Sequence, residues 1–246
     1  PQPQGGSVKV FVLAGQSNME GHGFIKADPA RNGGKGSLEH LVSDSATQRK
    51  YRHLTAKGGG WKVREDVWIS YGDRRGKLRP GYGVGEDCIG PELGFGIVVG
   101  NAVKEPVLLV KLAWGGKSLG EDFRPPSSEG PTGPYYNEVV QGTREVLAGA
   151  AALFPEFKGR RFELAGFGWH QGWNDRVNPA FVKEYEANMI NFIRDIRRDL
   201  KVPLLPFVIA ETGMGGFAET DKQALALMEA QASAVKQKEF VGSAAF

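Results

Sequence analysis

The chain has 246 residues, 41% hydrophobic and 24% charged, a composition that suits one large α/β domain with a substantial core and argues against two unrelated domains. A formal net charge of +3 from scattered basic residues offers no nucleic-acid platform, and no apolar run approaches the roughly 20 residues that cross a bilayer. The single cysteine, Cys88, excludes an internal disulfide framework, and four histidines leave little material for a metal site; no metal and no cofactor are expected.

The chain opens without a methionine on a polar Pro/Gln/Gly segment, residues 1–6. That fits an upstream piece removed as a signal peptide, and it fits a cloning boundary equally. Residues 8–14 are β-rich and almost continuously apolar, as expected of a strand buried on both faces of a parallel sheet. Gly15 ends the strand, and Ser17 falls in the strand-to-helix turn where α/β proteins expose reactive side chains. A serine there is also a common helix cap, so the turn alone leaves its role open.

Residues 23–60 are polar and rich in Gly and Lys, without periodicity, and read as a long surface excursion beside that turn. Residues 66–71 and 77–82 flank Asp73-Arg74-Arg75-Gly76 and look like a β-hairpin. The whole stretch 23–82 is therefore expected to be an insertion near the site, either shaping a pocket or merely decorating the surface. Pro91 and Glu92 then suit the start of a helix.

Further strands are predicted at 106–113, 162–169 and 204–210. Helices are predicted at 136–154, at 178–200 with Asn178 as cap and Pro179 in the first turn, and at 218–238. Residues 240–246 read as the start of a fifth strand. Strands alternating with helices in this way imply a mostly parallel five-stranded sheet covered on both faces, an α/β/α sandwich in a single domain over 1–246.

Two other strands also end in small, polar motifs: Trp114-Gly115-Gly116-Lys117-Ser118 and Trp169-His170-Gln171-Gly172-Trp173-Asn174-Asp175. In a parallel sheet all three turns emerge on one edge, where ligands bind. A serine nucleophile needs donors aimed at the oxygen that becomes negative in a tetrahedral intermediate. The N–H groups of Ser17 and Gly116 and the amide of Gln171 fit that need. Trp114, Trp169 and Trp173 suit stacking on a sugar face, or plain packing.

The blocks G-Q-S-N-M, W-G-G-K-S and W-H-Q-G-x-x-D, with the intervening G-P-E-L-G-F-G, resemble the SGNH-hydrolase superfamily. The nearest likeness is to its sialate O-acetylesterase branch, which includes acetylxylan esterases of carbohydrate esterase family 6. The resemblance implies a flavodoxin-like sandwich, deacetylation of sugars, Ser17 as nucleophile, and Gly116 and Gln171 as oxyanion donors. Gln16, Asn18, Lys117, His170 and Trp173 are then expected to face an acetylated carbohydrate, and a polysaccharide substrate implies a secreted or periplasmic setting.

Two departures qualify this. The family's general base comes from a C-terminal His-bearing block, whereas no histidine follows His170; the chain reads as stopping before that block, with the catalytic histidine past residue 246. Trp173 stands where related esterases often carry a glutamate that orients the base, a role Asp175 could take unless it is a simple turn cap. His170 remains a pocket wall or a substitute base, and His22 a rim residue. Two rival readings stay open, a carbohydrate-binding protein on an esterase scaffold and a sugar O-acyltransferase.

Overall fold

The computed structural model describes residues 6–246; of the polar leader, residues 1–5 lie outside the described residues. The elements in chain order are β1 (Ser7–Gly15), α1 (Ser17–Glu20), β2 (Gly23–Phe24), α2 (Leu38–Ser43), α3 (Gln48–Tyr51), β3 (Val67–Tyr71), β4 (Arg74–Lys77) and β5 (Cys88–Ile89). They continue with α4 (Pro91–Ala102), β6 (Val107–Ala113), α5 (Pro134–Leu153), β7 (Arg161–His170), α6 (Pro179–Asp199), β8 (Phe207–Ile209), α7 (Lys222–Ala234) and β9 (Ala244–Ala245).

One sheet of seven strands runs in the order β4-β3-β6-β1-β7-β8-β9. Every neighbouring pair is parallel except β3 with β4. β1 lies in the middle, and its two faces go to different layers because side chains alternate along a strand. Val12 and Ala14 join Phe167 and Trp169 against Val139 and Val140 of α5, Phe192 and Ile196 of α6, and Leu227 of α7. Leu13 faces the other way, with Leu109, Ile69 and Leu93 of α4. The result is the expected α/β/α sandwich, with continuous apolar strands because both faces are covered.

The insertion expected at 23–82 is in part sheet. Val67 to Tyr71 pair in parallel with Val107 to Lys111 of β6, so β3 belongs to the scaffold and the sheet has more strands than the five predicted. Its hairpin partner is β4, not residues 77–82: Tyr71 pairs with Arg74 across Gly72-Asp73, and Gly72 takes the left-handed φ of 58° such a tight turn requires. Leu38 and Leu54 of the excursion pack into the core beside Met19, which fixes it against the helix that carries Ser17.

The C-terminal predictions shorten. β8 spans three residues rather than 204–210. The helix predicted from 218 begins at Lys222, where the Asp221 carboxylate accepts from the Ala224 N–H at 2.8 Å and caps it. The strand predicted at 240–246 is the two-residue β9. Among the described residues no helix is long and apolar enough to cross a membrane.

Candidate active site

The ends of β6, β1 and β7 are neighbours in the sheet, so the three polar turns meet at one edge. Gly15 pairs with Ala113 on one side and His170 on the other. A Cβ on Gly15 would sit 2.1 Å from the His170 carbonyl oxygen, so no other residue fits this close crossing. The chain then breaks from the strand: the Gln16 N–H donates to the His170 carbonyl at 3.2 Å. Ser17 opens the short helix α1, half-buried, while its neighbour Asn18 points to solvent.

Gln16 is fully buried and wires β1 to the β7 turn. Its Oε1 accepts from the Gly172 N–H at 3.1 Å, the Asn174 N–H at 3.2 Å and the Gln171 amide at 3.3 Å. Its Nε2 donates to Asn174 Oδ1 at 2.7 Å and lies 3.5 Å from Ser17 Oγ. Since Asn174 Oδ1 is bound to Gln16, the Asn174 Nδ2 is the half of that side chain left for another partner.

The β6 turn is tied in from the other side. Asp175 is fully buried and accepts from the Leu119 N–H at 2.9 Å and the Gly120 N–H at 2.8 Å. Burial pushes its carboxyl up to about 6 against the lowering effect of its hydrogen bonds from Gln171, Leu119 and Gly120. Gln171, also fully buried, donates to the Lys117 carbonyl at 2.9 Å and to Asp175 at 2.5 Å, while its Oε1 accepts from the Tyr185 hydroxyl at 3.1 Å. Gly116 is exposed with a left-handed φ of 71°, a conformation that favours glycine. Among the described residues neither the Ser17 N–H nor the Gly116 N–H is bonded to another group, which leaves both free for a ligand.

A second anchor lies beneath α1. Lys111, on β6, is buried and donates to Glu92 at 2.6 Å, to the Glu20 carbonyl at 2.7 Å and to the Tyr82 carbonyl at 2.6 Å. Glu92 in turn accepts from the Gly90 N–H at 2.8 Å. Burial lowers the Lys111 ammonium and raises the Glu92 carboxyl, each opposed by the partner's charge.

A family model for "Carbohydrate esterase, sialic acid-specific acetylesterase" matches residues 7–245. The chain belongs to that family. A relative described as "Probable carbohydrate esterase At4g34215" of Arabidopsis thaliana is 24% identical over 221 residues, covering 88% of this chain and 74% of its own length. The solved structure of that Arabidopsis protein superposes with a TM-score of 0.60 at 20% identity, covering 91% of this chain and 80% of its own. NanS gives 0.59 at 15% identity, covering 98% and 77%. XAC1771, a carbohydrate acetylesterase from Xanthomonas citri, gives 0.58 at 14% identity, covering 96% of this chain and 48% of that one. These likenesses show the shared fold.

In this carbohydrate esterase scaffold the sequence-derived site residues separate into groups. Ser17 and Gly116 stand at the open edge. Gln171, expected as an oxyanion donor, and Gln16, expected to face substrate, are both buried, and their amides are hydrogen-bonded within the protein. Asp175 accepts from Leu119, Gly120 and Gln171. Lys117 lies 3.3 Å from Asp122 and over the Tyr135 ring. Trp173 is 42% exposed with the Arg176 guanidinium 3.9 Å above its ring, whereas Trp169 is core, donating to Tyr185 at 3.3 Å, and Trp114 packs on Tyr135. His170 is half-buried, its Nδ1 without a partner among the described residues, and burial lowers its pKa. His22 is exposed at the rim, 3.7 Å from Glu20.

The contacts of Asn174 and the Lys111–Glu92 pair are not predicted from the sequence. An amide two residues past Gly172, next to an aspartate, was a signal for the first. For the second, a lysine inside an otherwise apolar strand and a glutamate at a helix start were each visible, but their pairing depends on the tertiary fold.

Proposed function

We propose that this chain is a serine esterase that removes O-acetyl groups from carbohydrates. The observation that carries the reading is the pair of unbonded backbone N–H groups, of Ser17 and Gly116, on neighbouring strand-end turns, with Asn174 tied through Gln16 to the Ser17 turn. Ser17 Oγ attacks the acetyl carbonyl, losing its proton to a base as the Oγ–C bond forms. The oxyanion is held by Ser17 N–H, Gly116 N–H and Asn174 Nδ2, each such donor contributing about 3 kcal/mol to the transition state. The C–O bond to the sugar breaks, the sugar oxygen takes a proton, and water then releases acetate from the acyl-serine. Ser17 supplies the nucleophile, so acetate release should persist in a chelator.

The test is acetate release from acetylated sugars by the wild type and by Ser17→Ala; equal rates would sink the esterase reading. One observation favours a second reading, a carbohydrate-binding protein on the same scaffold. Among the described residues the group within reach of Ser17 Oγ is the Gln16 amide, a donor and not a base. Tight binding of acetylated sugar without acetate release, equal in both proteins, would favour it.

A further inference from the structure

Glu20 lies one helical turn past Ser17, on the same face of α1. Its side chain is only 17% exposed. A Cβ placed on Gly115 would fall 2.9 Å from Glu20 Oε2 and 3.9 Å from Ser17 Cβ, so the serine and the carboxylate flank the same notch, which exists because residue 115 has no side chain. Among the described residues no N–H or O–H donates to the Glu20 carboxylate. Lys111, the nearest buried cation in the network, is bound to the Glu20 carbonyl and not to its side chain, and His22 stands off at 3.7 Å on the solvent side, its side chain 56% exposed. The charge is felt inside: the Tyr71 hydroxyl is pushed up to about 12, first by burial and then by Glu20.

The Glu20 carboxylate therefore keeps acceptor capacity that the protein does not use. Beside a nucleophile, the donors that fit are hydroxyl groups of the substrate. We propose that Glu20 is a specificity-determining residue that accepts a hydrogen bond from the sugar hydroxyl next to the acetylated one, across the notch at Gly115. This rests on Ser17 as the nucleophile. Glycine at 115 leaves that notch open: a Cβ there would come within 2.9 Å of Glu20 Oε2. A pyranose presents vicinal hydroxyls to a carboxylate as charge-assisted donors, stronger than neutral ones, whereas a simple alkyl acetate presents none.

Binding is best read without turnover, in the Ser17→Ala background. The probes are methyl 3-O-acetyl-β-xyloside and its 2-deoxy and 4-deoxy analogues, titrated calorimetrically into S17A and into S17A/E20Q. In S17A, loss of one of the two hydroxyls should weaken binding by about tenfold or more, and E20Q should erase that preference. Glu20→Asp, which withdraws the carboxylate by one methylene, should give an intermediate preference and guards against a folding defect in E20Q. A hydroxyl preference that survives E20Q overturns the proposal, as does failure of S17A to bind any probe. So does a Glu20→Gln variant of the otherwise wild-type chain that loses acetate release while the binding preference is intact, since Glu20 would then act on Ser17 itself. Failure of the esterase reading shows separately, as acetate release that Ser17→Ala does not change.

Discussion

The turn that carries Ser17 is held from two sides by different chemistry. Toward β7, the tie is a mesh of neutral amides around one carboxylate: Gln16 bridges Gly172, Asn174 and Gln171, and Asp175 reaches across to Leu119 and Gly120. Toward α4, it is a single buried ion pair, Lys111 with Glu92, whose ammonium also holds the carbonyls of Glu20 and Tyr82. The mesh shares its load over many bonds and sets where donors point. The ion pair concentrates charge in a dry interior, where the desolvation of two ions nearly offsets their attraction. One side is built for aim, the other for clamping.

Breaking the clamp should have the largest effect on stability. Lys111→Met strands the Glu92 carboxylate and two carbonyls, and should cost about 3–5 kcal/mol in denaturant unfolding. Replacing Glu92 as well, with leucine, should recover part of that loss; a double variant no more stable than the single one would mean that the carbonyl contacts, not the ion pair, carry the clamp.

Disturbing the aim should instead show in rate. Asn174→Ala should lower kcat by about 100-fold, about 3 kcal/mol of transition-state stabilisation, with a melting curve little changed. Gln171→Ala, whose amide faces inward, should lower stability before it lowers kcat. The reverse pattern would return the oxyanion role to Gln171.

A smaller effect separates the two anchors by pH. Asp175 is held at about 6 in the fold, above the value near 3.9 of an unfolded aspartate. The folded state therefore binds the proton more tightly, and this contribution to stability is present at low pH and lost as pH rises through about 6. Measured against Asp175→Asn, wild-type stability should fall by about 2–3 kcal/mol between pH 4 and pH 7. A flat difference would mean that the three hydrogen bonds outweigh burial and keep the carboxylate charged.

Much of the scaffold was legible because local pattern and burial agree: the runs at 8–14, 106–113 and 162–169 are largely apolar, and strands in those places order themselves into a parallel sheet. The second long helix was equally clear, since Asn178 caps it and Pro179 follows. What the sequence hid was pairing. Val67 to Tyr71 looks like one arm of a hairpin, and nothing within it says that its other edge meets β6. The site shows the same division. Ser17 and Gly116 stand in turns whose chemistry is visible locally, whereas the inward contacts of Gln16 with Gln171, Gly172 and Asn174 join residues about 155 apart in sequence. Lys111 and Glu92 likewise acquire meaning only when β6 and α4 are brought together.

Acyl transfer to Ser17 is the central step of the proposed reaction. The direct measurement is peptide mass spectrometry of protein quenched during turnover of an aryl acetate. An acetyl group on the peptide that contains Ser17, absent from Ser17→Ala, is the result this structure predicts; acetate released at an undiminished rate by Ser17→Ala, with no acetyl group on that peptide in the wild type, would contradict it.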